Sequence, residues 1–372
     1  MSARAELADW LRLTLIPGIG GEGQRQLLRA FGEPAAVFSA SHGAVRGVLG
    51  GGLAERLVTH DCKAEIESAL AWAEQPGNQI LTLADATYPQ ALLTAADPPV
   101  LLYVKGAPAH LALLNRPAFA IVGSRNATKQ GEMNATAFAG ALASAGLTIV
   151  SGLAAGIDAA AHRGALNEAA RDGALGESAS TIAVIGTGCD RIYPASNEAL
   201  ARDIAERGVV VSEFPVGTPP LAANFPRRNR LIAGLSRGCL VVEAAKQSGS
   251  LITARLSAEA GREVFAIPGS IHSPQSKGCH ALIKQGAKLV ETAQDILEEL
   301  HWQAVTNPAA LPPVQEAETD PILVALGRDP CALDDLIERT GLAADALLAR
   351  LLPLELDGRI VPLPGGRYQR LN

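Results

Sequence analysis

Small and hydroxyl-bearing residues recur in this 372-residue chain directly after short apolar runs. Gly123-Ser124-Arg125, Ser151-Gly152, Gly186-Thr187-Gly188, Ser212-Glu213 and Pro268-Gly269-Ser270 each close such a run, and Ser248-Gly249-Ser250 follows another. The grouping suits anion binding. Glycine lets backbone approach a ligand, and a helix N-terminus offers N–H groups with partial positive charge. Arg125 adds a forked cation at the first of these turns. A second cluster, Asn224 to Ile232 (NFPRRNRLI), sets Arg227, Arg228 and Arg230 around Asn229, with Phe225 beside them. Guanidinium groups next to a ring and an amide suit a phosphate backbone and a stacked base. The competing reading is an exposed basic turn, or arginines paired with carboxylates. Asp158 and His162 lie one helical turn apart and can face each other, yet no nucleophile or metal cluster accompanies them. Asp158 is read as pinning a glycine-rich turn, and His162 as a packed structural histidine.

These residues need strands and helices to hold them. The strand candidates are Ala118–Val122, Leu147–Val150, Thr181–Ile185, Val209–Val211, Leu240–Val242 and Val264–Ile267, with helical segments such as Gly131–Ala145 and Ser196–Arg207 between them. Alternation of this kind predicts right-handed βαβ units and a mainly parallel sheet. In such a sheet, ligands bind beyond the carboxyl ends of the strands, where the glycine turns and the arginine turn converge. Asn126 or Thr128 is expected to cap the helix after the first turn. A nicotinamide site is the obvious competitor. However, Gly186-Thr187-Gly188 is followed by Cys189-Asp190-Arg191 and lacks a third glycine, although Glu213 ends the next strand where a ribose-binding acid would lie.

Composition bounds the rest. The chain is 48% hydrophobic and 19% charged, which fits a globular protein of two or three domains. No apolar run reaches membrane-span length, and the N-terminus lacks a signal-peptide layout. Five cysteines without CxxC spacing argue against a disulfide framework or zinc site and fit a reducing cytoplasm. The formal net charge is −6, so any grip on nucleic acid must come from a local patch. Residues 1–75 read as helical. Leu11–Ile16, the turn Pro17-Gly18-Ile19-Gly20 and GEGQRQLLRAFG outline a helix-hairpin-helix, echoed more loosely at Val45–Val58. The hairpin carries no Lys or Arg, which favours a helical bundle over a phosphate grip. Ile80–Leu83 and Val100–Val104 read as strands, and the GALGESAS stretch before Thr181 as a loop insertion. Residues 301–319 read as a linker and 320–372 as three helices plus a hairpin, the outline of a winged helix.

The blocks YPQALLTAADPPVLLYVKG, AIVGSRNATKQG, TIVSGLAAGIDAAAHRGAL, VIGTGCDRIYP, SEFPVGTPP, NFPRRNRLIAGLS, EAAKQSGSLITARLSAEAGREVFAIPG and SKGCHALIKQGAKLV run in this order from about Tyr88 to Val290. Together they resemble the DNA-processing protein A (DprA, or Smf) family. The resemblance implies an extended Rossmann-like α/β domain at 76–300, flanked by a sterile-alpha-motif-like helical domain and a winged helix. It implies a single-stranded-DNA-binding recombination mediator that protects incoming DNA and helps load RecA during natural transformation, sometimes against single-strand-binding protein. The family's DNA pocket maps onto Gly123, Ser124, Arg125, Phe225, Arg228, Asn229 and Arg230. Many members carry a lysine where this chain has Ala195, so the positive rim must be thinner there or be completed by Arg191 or Arg227.

The full DNA-binding expectation adds Ser151, Gly152, Arg227, Ser248 and Gly249. No catalytic residue, cofactor or metal is expected. The enzyme alternative is a Rossmann nucleotide hydrolase of the phosphoribohydrolase kind, motivated by the Gly-Ser turns and Asp158. A duplex-specific regulator is disfavoured because the third helix of the last unit offers only Arg350, although Arg367 and Arg370 suit a weak duplex grip. Cys279, Ala281, Leu282, Ile283 and Leu289 form an apolar cluster near the end of the sheet and are expected to cover its edge in a homodimer.

Overall fold

The computed structural model describes residues 3–171, 181–302, 320–327 and 329–371. The expected loop insertion and nearly all of the expected linker lie outside them. The chain opens with α1 (Ala3–Leu15), α2 (Gly21–Phe31), α3 (Pro34–Ser39), α4 (His42–Leu49), α5 (Gly51–Thr59) and α6 (Lys63–Ala73). The Pro-Gly-Ile-Gly turn joins α1 to α2, and Arg56 of α5 donates to the Pro17 carbonyl at 3.4 Å. Ile16, Ile19, Leu27, Val45 and Leu57 form the core of this unit.

The central part runs β1 (Asn78–Thr82), α7 (Gln90–Leu93), β2 (Leu101–Lys105), β3 (Ala118–Val122), α8 (Lys129–Ser144), β4 (Thr148–Ser151), α9 (Ile157–Arg171), β5 (Thr181–Val184) and α10 (Glu198–Arg207). It continues through β6 (Val209–Ser212), α11 (Asn224–Leu235), β7 (Gly238–Val241), α12 (Ser250–Glu259), β8 (Glu263–Ala266), α13 (Lys277–Lys284), β9 (Lys288–Leu289) and α14 (Ala293–Glu299). Among the described residues, nine strands form one sheet in the order β1-β2-β6-β5-β4-β3-β7-β8-β9. From β6 to β9 every pairing is parallel, whereas β2 pairs antiparallel with both β1 and β6. Winding reverses at β3: β4, β5 and β6 step one way, and β7, β8 and β9 the other. The carboxyl ends of β3 and β7 therefore flank a topological switch point, the place where such sheets bind ligands.

Burial explains why these apolar runs are strands. Every residue of β3 is buried, as expected of a parallel strand covered on both faces. Ala120 and Val122 pack toward Leu231 and Ile232 of α11, while Phe119 and Ile121 pack toward Ala135 and Phe138 of α8 and Ile157 of α9. Each fully buried branched or aromatic side chain contributes about 1.5–3 kcal/mol. The N-terminal helices add Trp10, Leu11, Leu70 and Trp72 to a cluster with Leu101 and Tyr103, and Trp72 meets Tyr103 edge-on at 5.7 Å.

Three expectations change. NFPRRNRLI is the start of helix α11 and not a turn, since Pro226 falls in the first turn, where its missing N–H breaks no helical bond. Cys279 is fully buried, with Sγ toward the Val241 and Val242 carbonyls, so it belongs to the core and not to a surface patch. Leu282 and Ile283 are partly buried against that core, Ala281 is half-buried, and Leu289 stays exposed on the edge strand β9. Arg370 is buried, which removes it from the expected duplex grip, whereas Arg367 is exposed.

The last unit comprises α15 (Pro321–Leu326), β10 (Cys331–Ala332), α16 (Leu333–Thr340), α17 (Ala344–Leu356), β11 (Ile360–Leu363) and β12 (Arg367–Arg370). Its sheet order is β10-β12-β11, so the expected hairpin gains a third strand. Leu323, Leu336, Leu347 and Leu351 form its core.

Candidate nucleic-acid interface

A crevice of about 690 Å³ opens at the switch point. Gly123, Ser124 and Arg125 line it from the β3–α8 turn, Phe225, Arg228 and Asn229 from the start of α11, and Ser248 and Gly249 from the turn before α12. Elements far apart in sequence thus converge as the sheet topology requires. Asn126, Tyr193, Gln247 and Gln275 add polar groups to the lining, and the buried Asp158 reaches it from below. The sequence assigns none of these four polar residues to the crevice and offers Asn126 only as a possible helix cap. Tyr193 had one signal, its place beside Pro194 in the Gly-Thr-Gly block.

The β3–α8 turn is built from side chains. Thr128 caps α8 by accepting from Gly131 N at 3.0 Å. Glu243, just past β7, accepts from Thr128 N at 2.9 Å and from Thr128 Oγ1 at 2.6 Å. A Cβ on Gly131 would lie 2.5 Å from the Glu243 carboxyl carbon, so only glycine leaves room for this lock. Burial pushes the Glu243 carboxyl above the ordinary range, and the Thr128 hydrogen bonds oppose that shift. Ser124 Oγ accepts from Asn126 N at 3.1 Å and tightens the turn that presents Arg125.

Arg228 forms the floor. Its Nη2 donates to the Gly152 carbonyl at 2.7 Å, and its Nε is buried without a partner. A Cβ at position 152 would fall 1.6 Å from Arg228 Nη1, so Gly152 exists to admit this guanidinium. Ser151 and Gly152 thus stand behind Arg228 and not at the crevice surface; Ser151 Oγ donates to the Ile121 carbonyl at 2.6 Å. Asp158 Oδ2 accepts from Gly152 N at 3.1 Å and from Ala154 N at 3.4 Å, pinning the turn as expected. Leu153 in that turn sits at φ 57°, a costly conformation for leucine, and Asn197 Nδ2 donates to its carbonyl at 3.0 Å. Burial lowers the Arg228 pKa to about 10, with Asp158 opposing the shift, so the guanidinium stays charged at neutral pH. Burial raises the Asp158 carboxyl while Arg228 holds it down.

An aromatic shelf borders the cations. The Arg125 guanidinium carbon lies 5.3 Å from the Phe225 ring centre, and Tyr193 lies 5.6 Å on, tilted 42°. Arg125 and Tyr193 are exposed, so cation and ring face solvent together.

The other two arginines of the cluster point elsewhere. Arg227 and Arg230 both pair with Glu213 Oε2, Arg227 at 3.2 Å, and Arg230 also meets Asp97 Oδ2 at 3.3 Å. Helical geometry explains the split: positions 227 and 230 share a face that 228 does not. Glu213 therefore holds arginines and not a ribose. Arg191 pairs with the neighbouring Asp190 at 3.5 Å. Gly186 packs under the Phe225 ring, where a Cβ would lie 3.0 Å from the ring edge.

His162 is sealed away from this surface. Nδ1 lies 2.7 Å from Thr181 Oγ1, whose own proton goes to the Ile149 carbonyl at 2.7 Å. Nδ1 must therefore donate, which leaves Nε2 a buried lone pair without a partner. Burial, reinforced by Arg228 and Arg163, lowers its pKa to about 3. Neutral and enclosed, it is the structural histidine that the sequence suggested.

Comparison with known proteins agrees with this architecture. The family model for DNA recombination-mediator protein A matches residues 79–301, and that for the DprA winged helix domain matches 306–366. Protein Smf of Escherichia coli is 43% identical over 327 residues, 86% of this chain and 84% of that protein. The X-ray structure of DNA processing protein A from Streptococcus pneumoniae superposes with a TM-score of 0.66 at 38% identity, covering 80% of this chain and 98% of that one. DNA processing protein A from Helicobacter pylori, studied structurally for its single-stranded DNA binding mode, gives a TM-score of 0.52 at 31% identity over 60% of this chain and 96% of that one. Among the described residues no helix is long and apolar enough to cross a membrane. With matches spanning both the sheet and the last unit, the chain belongs to the DprA (Smf) family of DNA recombination mediators.

Proposed function

We propose that this chain binds single-stranded DNA across the carboxyl edge of the sheet, protects incoming DNA and helps load RecA onto it during natural transformation. The observation that carries this reading is the convergence of Arg125, the buried Arg228 and the Phe225–Tyr193 shelf on one crevice at the switch point. In this reading the Gly123-Ser124 amides and the two guanidiniums hold phosphates, and the rings stack on bases. Local charge suffices, so a net charge of −6 is no obstacle. Ser248, Gly249 and Asn229 line the same path.

The activity is binding and not catalysis. Asp158 reaches the crevice floor, but its carboxylate is buried and held by two backbone amides beside the charge of Arg228, and His162 is closed off, so neither is poised as an acid or base. Nothing at these residues supports the nucleotide-hydrolase alternative. Assembly as a homodimer through the exposed edge strand β9, with Leu289, Ile283, Leu282 and Ala281 in the contact, belongs to the same reading. Leu289→Glu is expected to shift light scattering from dimer to monomer. Unchanged mass would move the contact elsewhere.

The deciding experiment titrates the protein with oligo-dT and with free nucleotides. Tight, salt-sensitive oligonucleotide binding without nucleotide turnover is expected. Turnover, or equal affinity for mononucleotides, would overturn the reading. Accelerated RecA filament growth on DNA coated with single-strand-binding protein would test the loading role.

A further inference from the structure

α11 has two working faces. One presents Phe225 and Arg228 to the crevice. The other carries Arg227 and Arg230 into a line of ion pairs that ends in the N-terminal helices. Arg230 bonds Glu213 and both the carboxylate and the carbonyl of Asp97. Asp97 Oδ1 in turn lies 2.6 Å from Arg25 Nη1 on α2. Arg25 also donates to the Pro98 carbonyl at 2.8 Å and pairs with Glu22 at 2.9 Å. Two members of this line are deeply enclosed, the Glu213 side chain at 3% exposed and that of Arg25 at 8%, whereas Asp97 between them is half-exposed.

We propose that the N-terminal helical unit is a positioning element for the crevice, with Arg25 acting through Asp97 and Arg230 to set the pose of α11 and hence of Phe225 and Arg228. This rests on the crevice reading above. A helix is stiff, so fixing its Arg227/Arg230 face fixes the rotation of the face carrying Arg228. Withdrawing Arg230 or Asp97 leaves charge less compensated on an enclosed partner, Glu213 or Arg25, so the line favours staying whole. Glu213 has a raised pKa from burial, opposed by Arg230 and Arg227, as expected of an acid whose ionised form depends on those two cations. Arg25 and Asp97 do not line the crevice, so they are positioning residues and not ligands of DNA.

The test uses the full chain in oligo-dT titrations over several salt concentrations, beside hydrogen exchange. Arg25→Ala is expected to lower affinity about fivefold or more. It should leave the slope against log salt unchanged, because no phosphate contact is lost. Arg25→Lys should recover part of the loss. Coupling is reciprocal, so bound oligo-dT should slow exchange in Gly21–Phe31 of the wild type and fail to do so in Asp97→Asn. Should Arg25→Ala not fold, Asp97→Asn, at a half-exposed site, carries the affinity test. Wild-type affinity in Arg25→Ala or Asp97→Asn, with binding weakened in Arg125→Ala, overturns this proposal alone. Wild-type affinity in Arg125→Ala overturns the crevice reading and this proposal with it. A reduced salt slope in Arg25→Ala would make Arg25 a direct contact and also overturn the positioning role.

Discussion

The crevice and helix α17 of the winged-helix unit treat their cations and apolar groups in opposite ways. At the crevice, the Arg228 guanidinium is buried against Gly152, with exposed Arg125 and Tyr193 lining the same crevice. On α17, Arg350 stands exposed, and so do Leu348, Leu352 and Leu356, which are 43%, 57% and 79% exposed and repeat every fourth residue. Both architectures are common in nucleic-acid-binding proteins, but only the first gathers cation, ring and turn amides at one point. A fold family supplies a scaffold, and the site is decided by which side chains it brings together.

The most severe test of that contrast is Arg228→Ala. It removes the charged hydrogen bond to the Gly152 carbonyl and the cation that holds the Asp158 carboxyl down, so a stability loss of about 1.5–3 kcal/mol is expected together with weakened oligo-dT binding. Gly152→Ala should reproduce both effects, because the added methyl would occupy the space of the guanidinium. Thermal melting and titration of the two variants would measure this. A folded Gly152→Ala with wild-type affinity would break the comparison at its root.

Acid should also separate the two regions. The folded-state pKa of His162, about 3, lies below the ordinary 6.5. Its contribution to stability is therefore complete above pH 6.5 and is lost as pH falls toward 3. At pH 5 the loss is about 2 kcal/mol. The buried acids with raised pKa act in the opposite sense over this range, so the difference between wild type and His162→Gln isolates the histidine. The winged-helix unit contains no histidine, and its melting should show no such term. A wild-type curve parallel to that of His162→Gln between pH 7 and 5 would refute the assignment.

Arg125→Ala probes the exposed side of the site alone. With only its exposed cation–π contact to Phe225 to lose, it should fold normally and bind oligo-dT about tenfold more weakly, roughly 1.4 kcal/mol. The salt slope should fall by about 0.7 whatever the sequence of the oligonucleotide, since phosphates carry no base identity. The smallest effect is expected from truncation after Trp302, which should change oligo-dT affinity by less than about tenfold. A larger fall would return the winged-helix unit to the DNA path.

Much of this was legible in the chain. Ala118–Val122 is a strand at both ends as read, because five apolar residues between Pro117 and Gly123 admit little else. The convergence of Gly123-Ser124-Arg125 with Phe225 and Arg228 followed from the sheet rule alone. What stayed hidden depended on partners distant in sequence. Arg227 and Arg230 look like Arg228 in the sequence. Only the helical phase of α11 and the position of Glu213 at the end of β6 separate them. Cys279 belonged to an apolar cluster by composition, yet its Sγ faces β7. The antiparallel place of β1 and β2 in the main sheet has no signature in periodicity, because a strand's own pattern does not name its neighbour.

The lock between Glu243 and Thr128 makes the choice of residue at 131 depend on the one at 243. While the acid is present, residue 131 cannot acquire a side chain, because the carboxylate already fills the space. Shortening residue 243 first would free that space, but it would also release Thr128 and loosen the turn that presents Arg125. Neither order of substitution is neutral while the turn is in use. A lineage under selection for the grip on DNA should therefore keep the pair or replace both together, and the glycine, which touches no ligand, inherits the constraint of the acid.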